Sequence, residues 1–196
     1  MIKKGHEVLK VKGAVLRPFQ LEDVDDTYCR WLNDPEVVRY LEARHADRSP
    51  EALRAFVKNS LANPNRHFFL VLEDDQDLPI GTASLVVRPH YNVATFGYMI
   101  GEREYWGGDY ALVVQVALLD HAFGTLGLRR LEGGAAATNT SSHFNFRRLG
   151  FVREGTRRLQ VIDNQKGPVD LLVYGMFAEE WQENSGKFNR FRVVTP

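Results

Sequence analysis

Residues 96–151 read FGYMIGEREYWGGDYALVVQVALLDHAFGTLGLRRLEGGAAATNTSSHFNFRRLGF. Four parts follow one another: a strand ending at Gly101, a loop with paired glycines, a long amphipathic helix, and a short strand feeding a second helix. The loop Tyr105-Trp106-Gly107-Gly108-Asp109-Tyr110-Ala111 runs straight into the long helix. The first backbone N–H groups of a helix have no intrahelical partner and point outward, so they form a ready anion site. Adjacent glycines let a large anion reach the backbone. The stretch can therefore cradle a pyrophosphate, although the same pattern also makes plain turns. It is not a P-loop, since no Gly-Lys-Ser/Thr follows, and it is not the Gly-x-Gly-x-x-Gly dinucleotide fingerprint.

Outward from this stretch, Leu112, Val116, Leu119, Phe123 and Leu126 recur at helical spacing and predict a helix over 109–126, ended by Gly127. Residues 128–138 read as a strand of small residues, Gly133-Gly134-Ala135-Ala136-Ala137, which lets either a ligand or a packed helix approach the backbone. A short helix over 139–148 is capped by Asn139 or Thr140, and 151–162 with 168–177 forms a final hairpin. Upstream, 67–72 (HFFLVL), 78–87 and 93–100 are strands joined by short turns, an antiparallel meander. A first strand covers 8–17. Helices are predicted over 22–32, from Pro35 with Asp34 as cap, and from Ser49 to Leu61. The expected class is α/β of the α+β type, with a mixed, mostly antiparallel central sheet of about seven strands flanked by helices. One domain is expected over 1–181, followed by a polar tail over 182–196 that is loosely ordered or docks on a partner.

The chain has 196 residues, 44% apolar and 26% charged, the profile of an ordinary globular domain. Twenty-five basic residues balance 25 acidic ones, so no global field draws the chain to nucleic acid or to an anionic membrane, and neither is expected as a partner. Cys29 is the only cysteine, which excludes an internal disulfide and a cysteine-based zinc site; no metal is expected. The start, Met-Ile-Lys-Lys-Gly-His-Glu, lacks the apolar core of a signal peptide, and no run is long enough to span a bilayer. A cytoplasmic location is expected.

The order and spacing of these pieces resemble the GNAT superfamily of acetyltransferases, and within it the branch of ribosomal-protein N-terminal and amino-sugar N-acetyltransferases. The resemblance rests on Ile100-Gly101, Tyr105-Trp106-Gly107, Tyr110-Ala111, Leu118 to Phe123, Leu126-Gly127-Leu128, Arg130, Asn139, Ser142 and Leu149 to Phe151. It extends upstream to Leu16-Arg17-Pro18 and to Trp31 through Val37, and so covers most of the chain. It implies a GNAT-like fold and an enzyme that moves the acetyl group of acetyl-CoA to a primary amine by direct attack. The implied acceptor is a small molecule such as a nucleotide-linked amino sugar. The alternatives are a protein N-terminus, or a degenerate module that binds CoA without turnover. Dimers are frequent in such folds, so a homodimer is a further expectation.

The resemblance also implies roles for particular residues. Trp106, Gly107, Gly108, Asp109, Tyr110 and Ala111 would take the pyrophosphate. Tyr98, Met99 and Ile100 would pair with the pantetheine arm as an added strand, and Asn139 would hydrogen-bond to it. Direct attack needs a neutral amine, a polarised carbonyl and a proton donor for the thiolate. Many members carry a tyrosine for that donor where this chain has Phe146, which has no hydroxyl. The ribosomal-protein branch uses a serine three residues after the asparagine, and Ser142 stands there as the expected donor. A glutamate common in the strand is replaced by Thr95, suited only to holding a water, and His90 is the expected base, imidazole being the side chain type suited to proton transfer at neutral pH. Trp31, Glu42, Arg44 and Thr95 are expected around the acceptor. Asp109 stands where a second glycine is usual; a carboxylate there repels a pyrophosphate unless it turns away as the helix cap, which is the expectation.

Overall fold

Residues 7–193 are described by a computed structural model. The segment expected as one strand over 8–17 folds back on itself at Lys12-Gly13. There β1 (Leu9–Val11) pairs antiparallel with β2 (Ala14–Pro18), and Gly13 sits at φ +92°, a conformation that a Cβ disfavours. The meander then follows as β3 (Arg66–Glu73), β4 (Pro79–Arg88) and β5 (Val93–Ile100). After the central helix come β6 (Arg130–Ala136) and the hairpin of β7 (Val152–Asp163) with β8 (Gly167–Phe177). The sheet has eight strands in the order β1-β2-β3-β4-β5-β6-β8-β7. All its neighbours are antiparallel except β5 and β6.

That parallel pair decides where the site forms. β5 is paired along its whole length with β4, from Arg88↔Val93 to Gly81↔Ile100. With β6 it shares only three rungs, Val93↔Arg130, Ala94↔Leu131 and Thr95↔Glu132. Beyond Thr95 the two strands part, and residues 96–100 show β6 no partner.

Helices cover both faces. On one side lie α1 (Asp26–Asn33), with the Asp25 carboxylate accepting from the Tyr28 N–H at 2.9 Å, and α2 (Pro50–Ala62), with Ser49 as cap and proline at its first position. No helix starts at Pro35. The Asp34 carboxylate instead accepts from the Glu36 N–H, two residues on, at 2.9 Å. This local turn competes with a helix cap, and Val37-Val38 adds two residues that resist helical χ1 packing. On the other side lie α3 (Tyr110–Asp120) and α4 (Thr140–Leu149). α3 buries every residue from Leu112 to Leu119, continues as a wider turn over His121–Thr125, and stops at Gly127, φ +61°.

The segment expected as a tail is part of the body as far as it is described. α5 (Ala178–Asn184) buries Trp181, and the turns over Ser185–Phe191 bury Phe188 and Phe191. The Phe191 carbonyl accepts from the Lys12 N–H at 2.8 Å. Asp120 at the end of α3 accepts from Trp181 Nε1 at 2.9 Å and from Arg192 Nη2 at 2.8 Å. Three aromatic residues spaced within a polar stretch were the sequence signal for this docking; residues 194–196 of the expected tail lie outside the described residues.

Candidate active site

The parting of β5 and β6 opens a wedge-shaped cavity of about 620 Å³. Its walls are the free edge of β5 at residues 96–100, the small residues Gly134 to Ala136 of β6, the first turns of α4, and the loop before α3. The small strand serves two ends at once. A Cβ on Gly133 would stand 2.8 Å from the Phe146 ring, so that glycine is needed for α4 to pack. Gly134, one residue on, points the other way and lines the cavity.

Gly107, Gly108 and Ala111 line the wedge where the loop enters α3, and Trp106 lines it from the loop's start. Gly107 has φ +80° and open space where a Cβ would be. The indole Nε1 of Trp106 donates to the Ile100 carbonyl at 2.8 Å and ties the loop to the end of β5. The expectation that Asp109 caps α3 is corrected: its backbone is helical and its side chain makes no cap bond. It is held instead by Arg148 Nη1 of α4 at 3.0 Å and Arg190 Nη2 at 3.1 Å. The carboxylate is thus turned away from the loop's N–H groups and faces two guanidiniums. Tyr110 packs edge-on against Tyr105, ring centroids 4.8 Å apart, and lies outside the wedge lining.

Asn139 and Ser142 both line the wedge. Asn139 caps α4 by accepting from the Ser142 N–H at 3.1 Å, which leaves its amide NH₂ for another partner. Tyr98 reaches α4 from β5. Burial raises its hydroxyl's pKa, opposed by hydrogen bonding toward Asn145 and Ser142. Asn145 and the Tyr98 side chain are site groups that sequence reasoning missed; the i, i+3 spacing of Ser142 and Asn145 on α4 was the available signal. His143 is structural. Its Nε2 lies 2.9 Å from the Ala136 carbonyl, which can only accept, so Nε2 carries the proton and Nδ1 accepts from the Tyr174 hydroxyl at 3.0 Å. Phe146 stacks on Tyr174 with centroids 4.3 Å apart and closes the floor with carbon alone.

A second cavity of about 490 Å³ lies on the α1–α2 side of β5. Leu41, Glu42, Gly97, Tyr98 and Met99 line both cavities, so the two meet across β5. Among the described residues Glu42 is the carboxylate common to both linings. Arg44 lines the wedge, but its guanidinium is committed to the Arg39 and Ile162 carbonyls, 2.5 and 2.6 Å away, and so fastens the turn over Glu42–His45 to β7.

Besides Asp109 and Tyr110, three expected site residues line neither cavity. Trp31 is 1% exposed and packs face-on to Gly101, where a Cβ would stand 2.2 Å from its ring. Its Nε1 donates to Glu102 at 2.9 Å; it is core, not pocket. His90 sits in the turn Pro89–Tyr91 before β5, beyond the closed end of the β5–β6 ladder, and lines neither cavity. Thr95 is exposed on the last shared rung, opposite Glu132. Glu132 is itself bound by Arg88 and Arg130.

Comparison with known proteins assigns this architecture to a family. The family description "Acetyltransferase (GNAT) domain" matches residues 14–152, and the chain belongs to that family. The chain is 26% identical to the "Uncharacterized N-acetyltransferase p20" of Bacillus licheniformis, over 89% of this chain and 98% of that one. Among solved structures it resembles a spermidine N-acetyltransferase from Vibrio cholerae in complex with CoA and spermine, with TM-score 0.77, 19% identity, and 87% of this chain and 98% of that one covered. It resembles equally the ribosomal-protein-S5-alanine acetyltransferase from Vibrio fischeri, with TM-score 0.74, 19% identity, and 89% and 98% covered. The two act on unlike acceptors with one fold, so the fold does not name the acceptor. The protein is a GNAT acetyltransferase, a family that uses acetyl-CoA. No helix among the described residues is long and apolar enough to cross a membrane.

Proposed function

We propose that the protein acetylates a small-molecule primary amine, with acetyl-CoA held in the wedge and the acceptor in the second cavity. The observation that carries this reading is the pair of cavities meeting across residues 97–99 of β5. The wedge fits the donor: the unpaired edge of β5 offers strand-like hydrogen bonds to the amide arm, and the open Gly107-Gly108 loop at the start of α3 offers N–H groups to the pyrophosphate. Bound there, acetyl-CoA supplies the acetyl thioester. In the transfer the amine nitrogen forms the new N–C bond, the C–S bond breaks, and the amine's proton is balanced by one delivered to sulfur. Ser142 is the hydroxyl placed to deliver it, with Tyr98 behind it as the second hydroxyl of the pair. Glu42, common to both linings, is the carboxylate placed to take the amine's proton; it replaces His90 in that role.

The second cavity favours a compact acceptor over a protein N-terminus. Its wall is largely apolar, through Leu32, Leu53, Phe56, Phe68 and Met99, and suits an acceptor with an apolar body. Free-thiol release from acetyl-CoA, measured with simple amines, amino-sugar nucleotides and short peptides, tests the reading. Turnover with compact amines is expected. Turnover with peptides alone would overturn it.

A further inference from the structure

Two cations line the second cavity with no ion pair among the described residues: Arg48, which donates to the Leu32 carbonyl at 3.0 Å, and Arg66, which has no such partner. Arg66, the first residue of β3, is half-buried on the cavity wall. Its guanidinium lies over two aromatic rings, 5.2 Å from the Phe56 centroid and 5.5 Å from that of Phe68. Its Nε is buried without a hydrogen-bond partner, and among the described residues no carboxylate stands within ion-pair distance of it. The two acids of the same lining are placed otherwise: Glu42 sits at the β5 end, and Asp47 accepts from the Ser49 N–H at 2.9 Å. A half-buried guanidinium left without a counter-ion is stabilised by an anion that meets it. Planar, with a fork of donors, it matches a carboxylate in two parallel bonds. Tyr28 adds its hydroxyl to the same lining, and burial together with the nearby Arg66 governs that group's titration.

The sheet register sets how far this cation is from the chemistry. Arg66 pairs with Val86 of β4, which pairs with Thr95 of β5, and one row on, Phe68, Ser84 and Gly97 are aligned. From β3 to β5 is two strand spacings, roughly 10 Å. The space between is floored by Phe68 and walled by Leu32, Leu53 and Met99. Resting on the acceptor assignment above, we propose that the acceptor is an amine with an apolar aryl or alkyl body and a carboxylate at its far end, the carboxylate taken by Arg66 and the amine presented at the β5 edge.

The test uses the full chain and three probes: para-aminomethylbenzoate, its carboxamide, and para-toluate, which has the carboxylate and ring without the amine. Thiol release gives kcat/KM for the two amines in the wild type, Arg66→Gln and Arg66→Lys. The carboxylate is expected to be favoured over the carboxamide by about tenfold or more, the usual worth of a charge-assisted pair. That ratio should collapse in Arg66→Gln and survive in part in Arg66→Lys. Calorimetric titration of para-toluate into CoA-saturated protein reads the same site without turnover, and binding that is lost in Arg66→Gln is expected. An equal preference in wild type and Arg66→Gln, or no binding of para-toluate to the wild type, would overturn the proposal. Absence of thiol release with every amine would count against the acceptor assignment, and the calorimetry would then decide the carboxylate site alone.

Discussion

Acidification should destabilise this protein through one histidine. His121 lies in the wide turn after α3, is 2% exposed, and neither ring nitrogen has a hydrogen-bond partner. Burial, with the neighbouring His67 adding to it, lowers its pKa from 6.5 to about 4. His67 is lowered by burial as well. The Glu7 carboxylate, 4.0 Å from His121 Nδ1, is 61% exposed and offsets this only weakly. Because the folded pKa lies below the unfolded one, the unfolded chain takes up the proton first. Stability is therefore complete above pH 6.5 and falls as pH drops towards 4. Each pKa unit is worth about 1.4 kcal/mol, so His121 alone removes about 2 kcal/mol by pH 5 and about 3 kcal/mol by pH 4. Urea unfolding of the wild type and His121→Leu, at pH 7.5, 6, 5 and 4, measures this as the difference between the two curves. The variant should gain on the wild type by those amounts as pH falls. A difference that stays constant with pH would refute the reasoning.

Gly101→Ala drives a methyl into the Trp31 ring, 2.2 Å away. Overpacking of this kind costs about 1–3 kcal/mol, and the loss of stability should come with a shifted Trp emission as the indole moves. Asp109→Gly frees Arg148 and Arg190 beside the pyrophosphate loop; CoA should bind several-fold more tightly, with a steeper loss of affinity on adding salt, both read by titration. Ser142→Ala should lower kcat by about a hundredfold, the lower range for a lost proton donor, with CoA affinity kept; a smaller effect that deepens in the double variant with Tyr98→Phe would move the donor role to Tyr98.

Much of the fold was legible in the sequence because local rules decided it. The start of α2 at Ser49-Pro50, the cap Asn139 and the terminator Gly127 each fix an element end with no help from the rest of the chain, whereas α3, expected to be amphipathic, is buried all round from Leu112 to Leu119. The helix expected at Pro35 failed because the Asp34 side chain had a nearer partner in Glu36, a competition that composition does not reveal. The glycine loop and the start of α4, which line the wedge, could be read because glycines and caps act at fixed spacing. The acceptor half could not. Trp31 and Glu42 looked alike as pocket residues, and only packing sends one into the core and the other between the cavities. Arg66 carried no motif. Its interest arises from what the fold withholds from it, a carboxylate within reach, and that is a property of three strands and a helix together.

In the function proposed, the parted edge of β5 and the loop before α3 receive acetyl-CoA. Hydrogen exchange resolved to single amides, with and without CoA, tests it most directly. Slowed exchange is predicted within residues 96–100 and 107–111, with the turn Pro89–Tyr91 unchanged. Binding of CoA that left both stretches unprotected, or protected the chain elsewhere instead, would contradict the account.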